Sequence, residues 1–276
     1  MPPLEQPQAV ISATVELEQR LPDGSKTVGT GFLVSDPTPD GRPRTVLVTA
    51  NHVFERMPMS AAQVDYRMRG EDGVWRYAPR AIMIRALDNR VWRRDAAHDV
   101  AVIQVNAPPE LAKAAIPLSW LAGADTFTRY GLAQGDEMIV LGYPEGLAAN
   151  AAGFPILRSG RVASPIEASD ASPSFLLDFR VFPGNSGGPV FLAEATRRTA
   201  DGAPTKEQII AGMLTEQVEV GDQRLEIGVV TDAQFIRQAI ALLDQPLSAD
   251  PPPAAPALSS PPASAAAATI GRIAPD

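Results

Sequence analysis

The sequence predicts an all-β protein, either one large β domain or two sub-barrels that share a cleft, followed by a single C-terminal helix. Three observations carry this. Short apolar, β-branched runs recur between residues 9 and 230 and are separated by Gly-, Pro- and Asp-rich turns. The composition, 45% hydrophobic and 20% charged over 276 residues, allows a sizeable core. After the last of those runs, Phe235, Ile236, Ala239, Ile240 and Leu243 form one apolar stripe at helical spacing.

In chain order, residues 9–18 alternate as a strand, Leu21-Pro22-Asp23-Gly24-Ser25 has turn chemistry, and residues 27–34 return as its partner. Gly29 and Gly31 flank Thr30, which lets this backbone pass close to another segment. Thr45-Val46-Leu47-Val48-Thr49-Ala50 reads as a buried strand. Residues 54–98 carry the weakest pattern, with strands at 74–77 and 81–84 parted by Pro79. Val100-Ala101-Val102-Ile103-Gln104-Val105 is a second buried strand, and residues 106–135 form a proline-punctured connection with a helical turn near 110–115. Further strands are expected around 137–142, 156–163, 174–182, 189–193, 207–215 and 225–230. Thr231-Asp232-Ala233-Gln234 fits a capping box at the start of the helix, which Pro246 ends. From Ser248 the chain is too rich in Pro, Ala and Ser to bury a core, so 246–276 is expected to be a disordered tail.

Charge and composition narrow the function. The net charge is −8, from 24 basic and 32 acidic residues, which argues against nucleic acid or an anionic membrane as partner. The absence of cysteine rules out a disulfide framework and thiolate zinc sites. The first six residues lack the basic and apolar regions of a secretory leader, and the expected location is the cytoplasm.

The chemistry centres on Phe182-Pro183-Gly184-Asn185-Ser186-Gly187-Gly188-Pro189-Val190. A serine among three glycines and two prolines belongs to a tight loop whose N–H groups can point at an anion. Acyl transfer needs that combination, a nucleophile beside donors aimed at a developing oxyanion. Gly184-Asn185-Ser186-Gly187-Gly188 also fits the G-x-S-x-G elbow, but that motif requires a helix after the serine and a histidine later in the chain. Here Gly188-Pro189 leads into Val190-Phe191-Leu192, a strand, and the only two histidines, His52 and His98, both precede Ser186. The Asp, His, Ser order would also need a helix after the serine, and the same Gly188-Pro189 argues against it. The remaining order is His, Asp, Ser, with His52 just past one buried strand and Asp99 at the start of another.

Thr49-Ala50-Asn51-His52-Val53, Asp99-Val100-Ala101-Val102 and Gly184-Asn185-Ser186-Gly187-Gly188-Pro189 resemble the three signatures of trypsin-like serine proteases. The closer likeness is to the bacterial, cysteine-free branch that includes HtrA-type proteases and glutamyl endopeptidases. Arg158-Ser159-Gly160-Arg161-Val162-Ala163-Ser164, residues 178–190 and Gly142-Tyr143-Pro144 are similar to the corresponding segments of that branch. The resemblance spans residues 8–244. It implies two antiparallel six-stranded β-barrels of the chymotrypsin type, about 8–108 and 130–231, with a helix at 232–244. The peptidase domain would then be 8–245, followed by the tail. HtrA-type proteases carry a PDZ domain at that point, and residues 246–276 cannot hold one.

The resemblance also implies roles. His52 would be the general base, Asp99 its orienting partner, and Ser186 the nucleophile of an acyl-enzyme mechanism. The backbone N–H groups of Gly184 and Ser186 would form the oxyanion hole. Asp95 is the rival to Asp99, and His98 reads as a surface or supporting residue that points away if its segment is extended. Arg180, six residues before Ser186, would lie at the pocket floor and could pair with an acidic side chain, or else face Asp178 or Glu216. Leu214 and Thr215 would form the pocket wall and suit a small apolar side chain. The expected partner is a protein or peptide substrate, with room for a regulatory protein, and no cofactor or metal is called for. The rivals are a catalytically latent module of the same fold that needs a partner to form its oxyanion hole, and a serine esterase.

Overall fold

The computed structural model describes residues 6–87, 89–166, 173–193, 197–198, 204–205, 208–220 and 223–245. The chain divides into a unit over Met1–Gln245 and another over Pro246–Asp276, and the second, the expected tail, lies outside the described residues.

The first half opens with helix α1 (Gln6–Ala13). Strands β1 (Thr14–Arg20), β2 (Lys26–Ser35) and β3 (Thr45–Ala50) follow, then a one-turn helix α2 (Asn51–Glu55). Next come β4 (Ala61–Arg69), β5 (Trp75–Met83), the two-residue pair β6 and β7 (Arg85–Ala86, Asn89–Arg90), β8 (Arg93–Asp95) and β9 (Val100–Gln104). Helix α3 (Pro109–Ala114) and strand β10 (Ile116–Pro117) complete this half. The sheet runs β5-β4-β1-β2-β3-β9-β8, with β10 added beside β2. Val15, Leu17, Phe32, Leu33, Leu47, Val48, Val100 and Val102 of this sheet are all fully buried. Adjacent residues such as Phe32 and Leu33 point to opposite faces, so both faces of these central strands are covered.

The second half begins with α4 (Thr126–Arg129) and contains β11 (Glu137–Gly142), β12 (Ile156–Val162), β13 (Ser174–Asp178) and β14 (Pro189–Leu192). The short β15 and β16 (Arg197–Arg198, Pro204–Thr205), β17 (Ile210–Val220) and β18 (Gln223–Asp232) follow. Six of these strands close a barrel in the order β11-β12-β13-β18-β17-β14. Helix α5 (Ala233–Ala241) ends the unit and buries Phe235, Ile236, Ala239 and Ile240. Arg44, on the first half, reaches Asp244 just past that helix at 2.6 Å.

The two-barrel architecture with a C-terminal helix is therefore present, the second barrel closed and the first built as an eight-stranded sheet. Four local expectations change. Residues 9–13 are helical, not extended; the helix is ended by Thr14, whose hydroxyl donates to the Val10 carbonyl at 2.7 Å. Pro79 does not divide two strands, because β5 is the edge of its sheet and can lack one N–H on its open side. The strand expected at 174–182 stops at Asp178, since the chain must turn into the serine loop. The cap of α5 is Asp232, which accepts from the Gln234 N–H at 2.8 Å, and not Thr231, whose hydroxyl donates to the His98 carbonyl.

Asp232 is 1% exposed, and its second oxygen has no partner among the described residues, so burial pushes its pKa up from 3.8 to about 7. Its burial penalty is absent below the unfolded value, grows as pH rises, and is complete above about 7. Thermal unfolding should thus show the melting temperature of the native chain falling between pH 5 and pH 8. Asp232→Asn, which keeps the capping oxygen and cannot ionise, should flatten that slope.

Candidate functional site

The loop carrying Ser186 is built from two successive four-residue turns. In the first, Pro183 and Gly184 are the central residues, and the Asn185 N–H donates to the Phe182 carbonyl at 3.0 Å. Pro presets the first central position, and the second needs positive φ, which Gly184 supplies at +90°. In the second turn the Gly188 N–H donates to the Asn185 carbonyl, with Gly187 at φ +89°. A Cβ on Gly187 would lie 1.9 Å from the Thr30 carbonyl oxygen, so close approach as well as φ requires glycine there.

Every carbonyl from Phe182 to Ser186 is taken up. Phe182 accepts from Asn185, Pro183 from the Glu145 N–H at 2.6 Å, Asn185 from Gly188, and Ser186 from the Thr30 N–H at 2.9 Å. The Gly184 carbonyl accepts the Thr30 hydroxyl at 2.6 Å. The donors are nearly exhausted too. Asn185 side-chain oxygen accepts from the Phe182 N–H, and the Gly187 N–H donates to the Leu214 carbonyl at 2.8 Å. Two N–H groups of the loop have no partner among the described residues: those of Gly184 and Ser186. A tight loop that satisfies all its other polar groups and leaves these two open is a donor pair for an anion.

Across the cleft, α2 begins at the end of β3 and carries His52. Asp99 holds it twice. One carboxylate oxygen accepts from the His52 backbone N–H at 2.9 Å, and the other lies 2.6 Å from Nδ1. Asp99 sits at φ +54°, and its carbonyl accepts from the Asn51 N–H, so the start of β9 and the start of α2 are pinned together. An ionised carboxylate only accepts, so in the neutral ring Nδ1 carries the proton and Nε2 keeps its lone pair. Nε2 has no hydrogen-bond partner among the described residues.

Asp95 does not compete for His52. Its carboxylate lies 2.5 Å from Nδ1 of His98, whose ring stacks on Phe235 with centroids 3.8 Å apart. The positive φ of Asp99 breaks the extended geometry that would send neighbours to opposite faces, and His98 becomes a support beneath α5.

His52 and Ser186 line one cleft of about 400 Å³, together with Arg56, Phe182, Pro183 and Thr215 to Gln217. The Ser186 hydroxyl donates to the Thr215 carbonyl at 2.9 Å. Thr215 lines this cleft, with its side chain buried and its hydroxyl donating to the Val229 carbonyl at 3.2 Å. Leu214 does not: its side chain is fully buried, and only its backbone touches the loop. Arg180 lines a smaller recess of about 60 Å³ with Val181, Phe182, Gln217, Arg224 and Glu226. Its partner is Glu226 at 3.4 Å, neither Asp178 nor Glu216, and both side chains are 60% exposed. The sequence reading missed Glu145, the donor that fixes the first turn, though Pro144 and Gly146 on either side mark a tight turn there.

Fold and site together define a double-barrel chain with a His–Asp pair facing a serine loop that has two open N–H donors. A family model described as a trypsin-like peptidase domain matches residues 29–197, and the chain belongs to that family. Solved structures repeat the fold. The HtrA-type protease AlgW with a tripeptide is 16% identical over 88% of this chain and 64% of its own, with a TM-score of 0.51. The serine endoprotease from Yersinia pestis is 17% identical over 88% and 68%, with the same TM-score. This chain thus spans about two thirds of the length of those structures. No curated protein matches the sequence.

Thr30 is fully buried and ties the loop to the first half through its N–H and its hydroxyl, which also accepts from the Tyr143 N–H at 3.2 Å. Thr30→Val keeps the shape but leaves the Gly184 carbonyl and the Tyr143 N–H without a partner. It should lower unfolding stability by about 1–3 kcal/mol per stranded group, read from the denaturant midpoint with the slope unchanged.

Proposed function

We propose that this chain is a serine endopeptidase that cuts peptide bonds through an acyl-enzyme intermediate. The observation that supports it best is the pairing of an available His52 Nε2 with the two open N–H groups of the serine loop in one molecule. In this reading His52 takes the Ser186 proton as Oγ attacks the scissile carbonyl. The Gly184 and Ser186 N–H groups receive the oxyanion, and Asp99 stabilises the imidazolium. His52 then gives its proton to the leaving amine, and water, deprotonated by His52, hydrolyses the ester.

The resting bond from Ser186 to the Thr215 carbonyl fits this scheme. A substrate strand laid beside residues 215–217 would use that carbonyl as an acceptor, freeing the hydroxyl to turn to His52. AlgW was solved with a tripeptide and, in another structure, with a decapeptide, and peptide binding is carried to this chain on the same proposal. Arg180 would meet an acidic substrate side chain, because an exposed pair such as Arg180–Glu226 holds only about 0–1 kcal/mol and is readily exchanged.

The same Ser186–Thr215 bond favours a second reading, a latent module in which the serine engages His52 only with a partner bound. Fluorophosphonate labelling read by intact mass separates the two. The peptidase reading expects one adduct on the native chain, none on Ser186→Ala, and labelling slowed by about 10³-fold or more in His52→Ala. Absence of any adduct on the folded native chain would leave the latent module standing. With an active enzyme, Arg180→Ala should lower kcat/KM for peptides with an acidic residue before the cut by about tenfold and spare those with an apolar one.

A further inference from the structure

Arg67, on β4, is fully buried and has no carboxylate partner among the described residues. Its charge is solvated by oxygen dipoles instead. Nη2 donates to the carbonyls of Ile11 (3.0 Å), Ser12 (2.8 Å) and Thr14 (2.7 Å), the first two in the last turn of α1. That turn has unpaired carbonyls and the negative pole of the helix, which suits a cation. Nη1 donates to the Tyr143 hydroxyl at 2.9 Å and the Gly153 carbonyl at 3.0 Å, and the guanidinium lies 4.9 Å from the Phe154 ring centroid.

Both ends of the loop between β11 and β12 therefore rest on one guanidinium. Tyr143 enters that loop, and Gly153 and Phe154 leave it. Between them Glu145, at φ +53°, presents its N–H to the Pro183 carbonyl. The peptide from Pro183 to Gly184 is planar and trans, so its carbonyl and its N–H point in opposite directions. Holding the carbonyl on Glu145 turns the Gly184 N–H away from Glu145. Were this peptide to flip, the carbonyl would take the place of the donor, and two N–H groups would face each other. Tyr143 closes the remaining space: a Cβ on Gly184 would fall 2.3 Å from its carbonyl oxygen.

We propose that Arg67 is a positioning residue for the oxyanion hole, acting through Tyr143 and Glu145 on the Pro183–Gly184 peptide. This rests on the peptidase reading for its kinetic part. Lysine in its place would keep the charge but lose the fork that spans α1 and the loop.

The test uses Arg67→Lys and Tyr143→Phe in the full chain, with p-nitrophenyl acetate hydrolysis for kcat and KM, thermal melting, and amide hydrogen exchange of peptides covering 143–154 and 182–187. Folded Arg67→Lys is expected to lose about tenfold or more in kcat with KM within about twofold, and Tyr143→Phe to show a smaller loss of the same kind. Both should exchange faster in the two segments while their melting temperatures stay above the assay temperature. Unchanged kcat in a folded Arg67→Lys would overturn the proposal, and if that variant does not fold, unchanged kcat in Tyr143→Phe would do so. If the native chain neither labels nor turns over, the peptidase reading fails by itself. Exchange then decides alone: faster exchange at 182–187 supports the clamp, and unchanged exchange overturns it.

Discussion

Thr30 is the point at which the two halves of this protein are made to agree. Its N–H, hydroxyl and carbonyl each cross to another segment: to Ser186, to Gly184 with Tyr143 behind, and to the Thr49 hydroxyl at 2.7 Å. The serine loop belongs to the second barrel and His52 to the first half, so their relative position depends on contacts between the halves. No disulfide can supply that link, because the chain has no cysteine. At the serine loop it is supplied by short, neutral, buried hydrogen bonds, each costly to leave unmade. Gly187 is the steric counterpart of those bonds, since a Cβ there would fall 1.9 Å from the Thr30 carbonyl oxygen.

Much of this was legible in the sequence because the constraints are local. A serine between glycines and prolines can only be a tight loop, and the two turns found there use Pro183, Gly184 and Gly187 as turn chemistry demands. His52 and Asp99 could be placed because each adjoins a run too apolar to be anything but buried strand. What escaped depends on partners distant in sequence. Residues 9–13 alternate well enough for a strand, and only a tertiary partner for the carbonyls of the last turn shows why they are helical. Pro79 breaks a strand by propensity but is harmless on an edge, and whether a strand is an edge is decided by pairings far away. Leu214 was expected at the pocket wall; it is fully buried, and its neighbour Thr215 meets the cleft at its carbonyl.

Arg67 was invisible for a related reason. An arginine in a strand reads as a surface residue, and nothing near it in sequence signals burial. Its acceptors come from α1, the β1 start, and a loop some eighty residues later. A buried cation with no counter-ion is stable only where many oriented dipoles converge, which makes its surroundings intolerant of displacement. Glu16 and Asp65 show the opposite case in the same region. Their carboxyls are buried, and desolvation raises both pKa values, that of Glu16 to about 7. Protonation can relieve those groups; Arg67 has no such release, so its position must be met by structure.

That difference bears on how the site keeps its shape. The contacts that order the Gly184 and Ser186 donors are backbone N–H groups, hydroxyls and carbonyls, none of which titrates between pH 4 and 9. Behind them the Arg67 guanidinium adds charged donors to the Tyr143 hydroxyl and the Gly153 carbonyl. An oxyanion loop tethered by an ion pair would loosen whenever a carboxylate was protonated. This one is tethered by neutral bonds and by a permanent charge, so its order is set by where the first half places Thr30 and Arg67. Anything that shifts α1 or the 143–154 loop therefore acts on the hole through geometry.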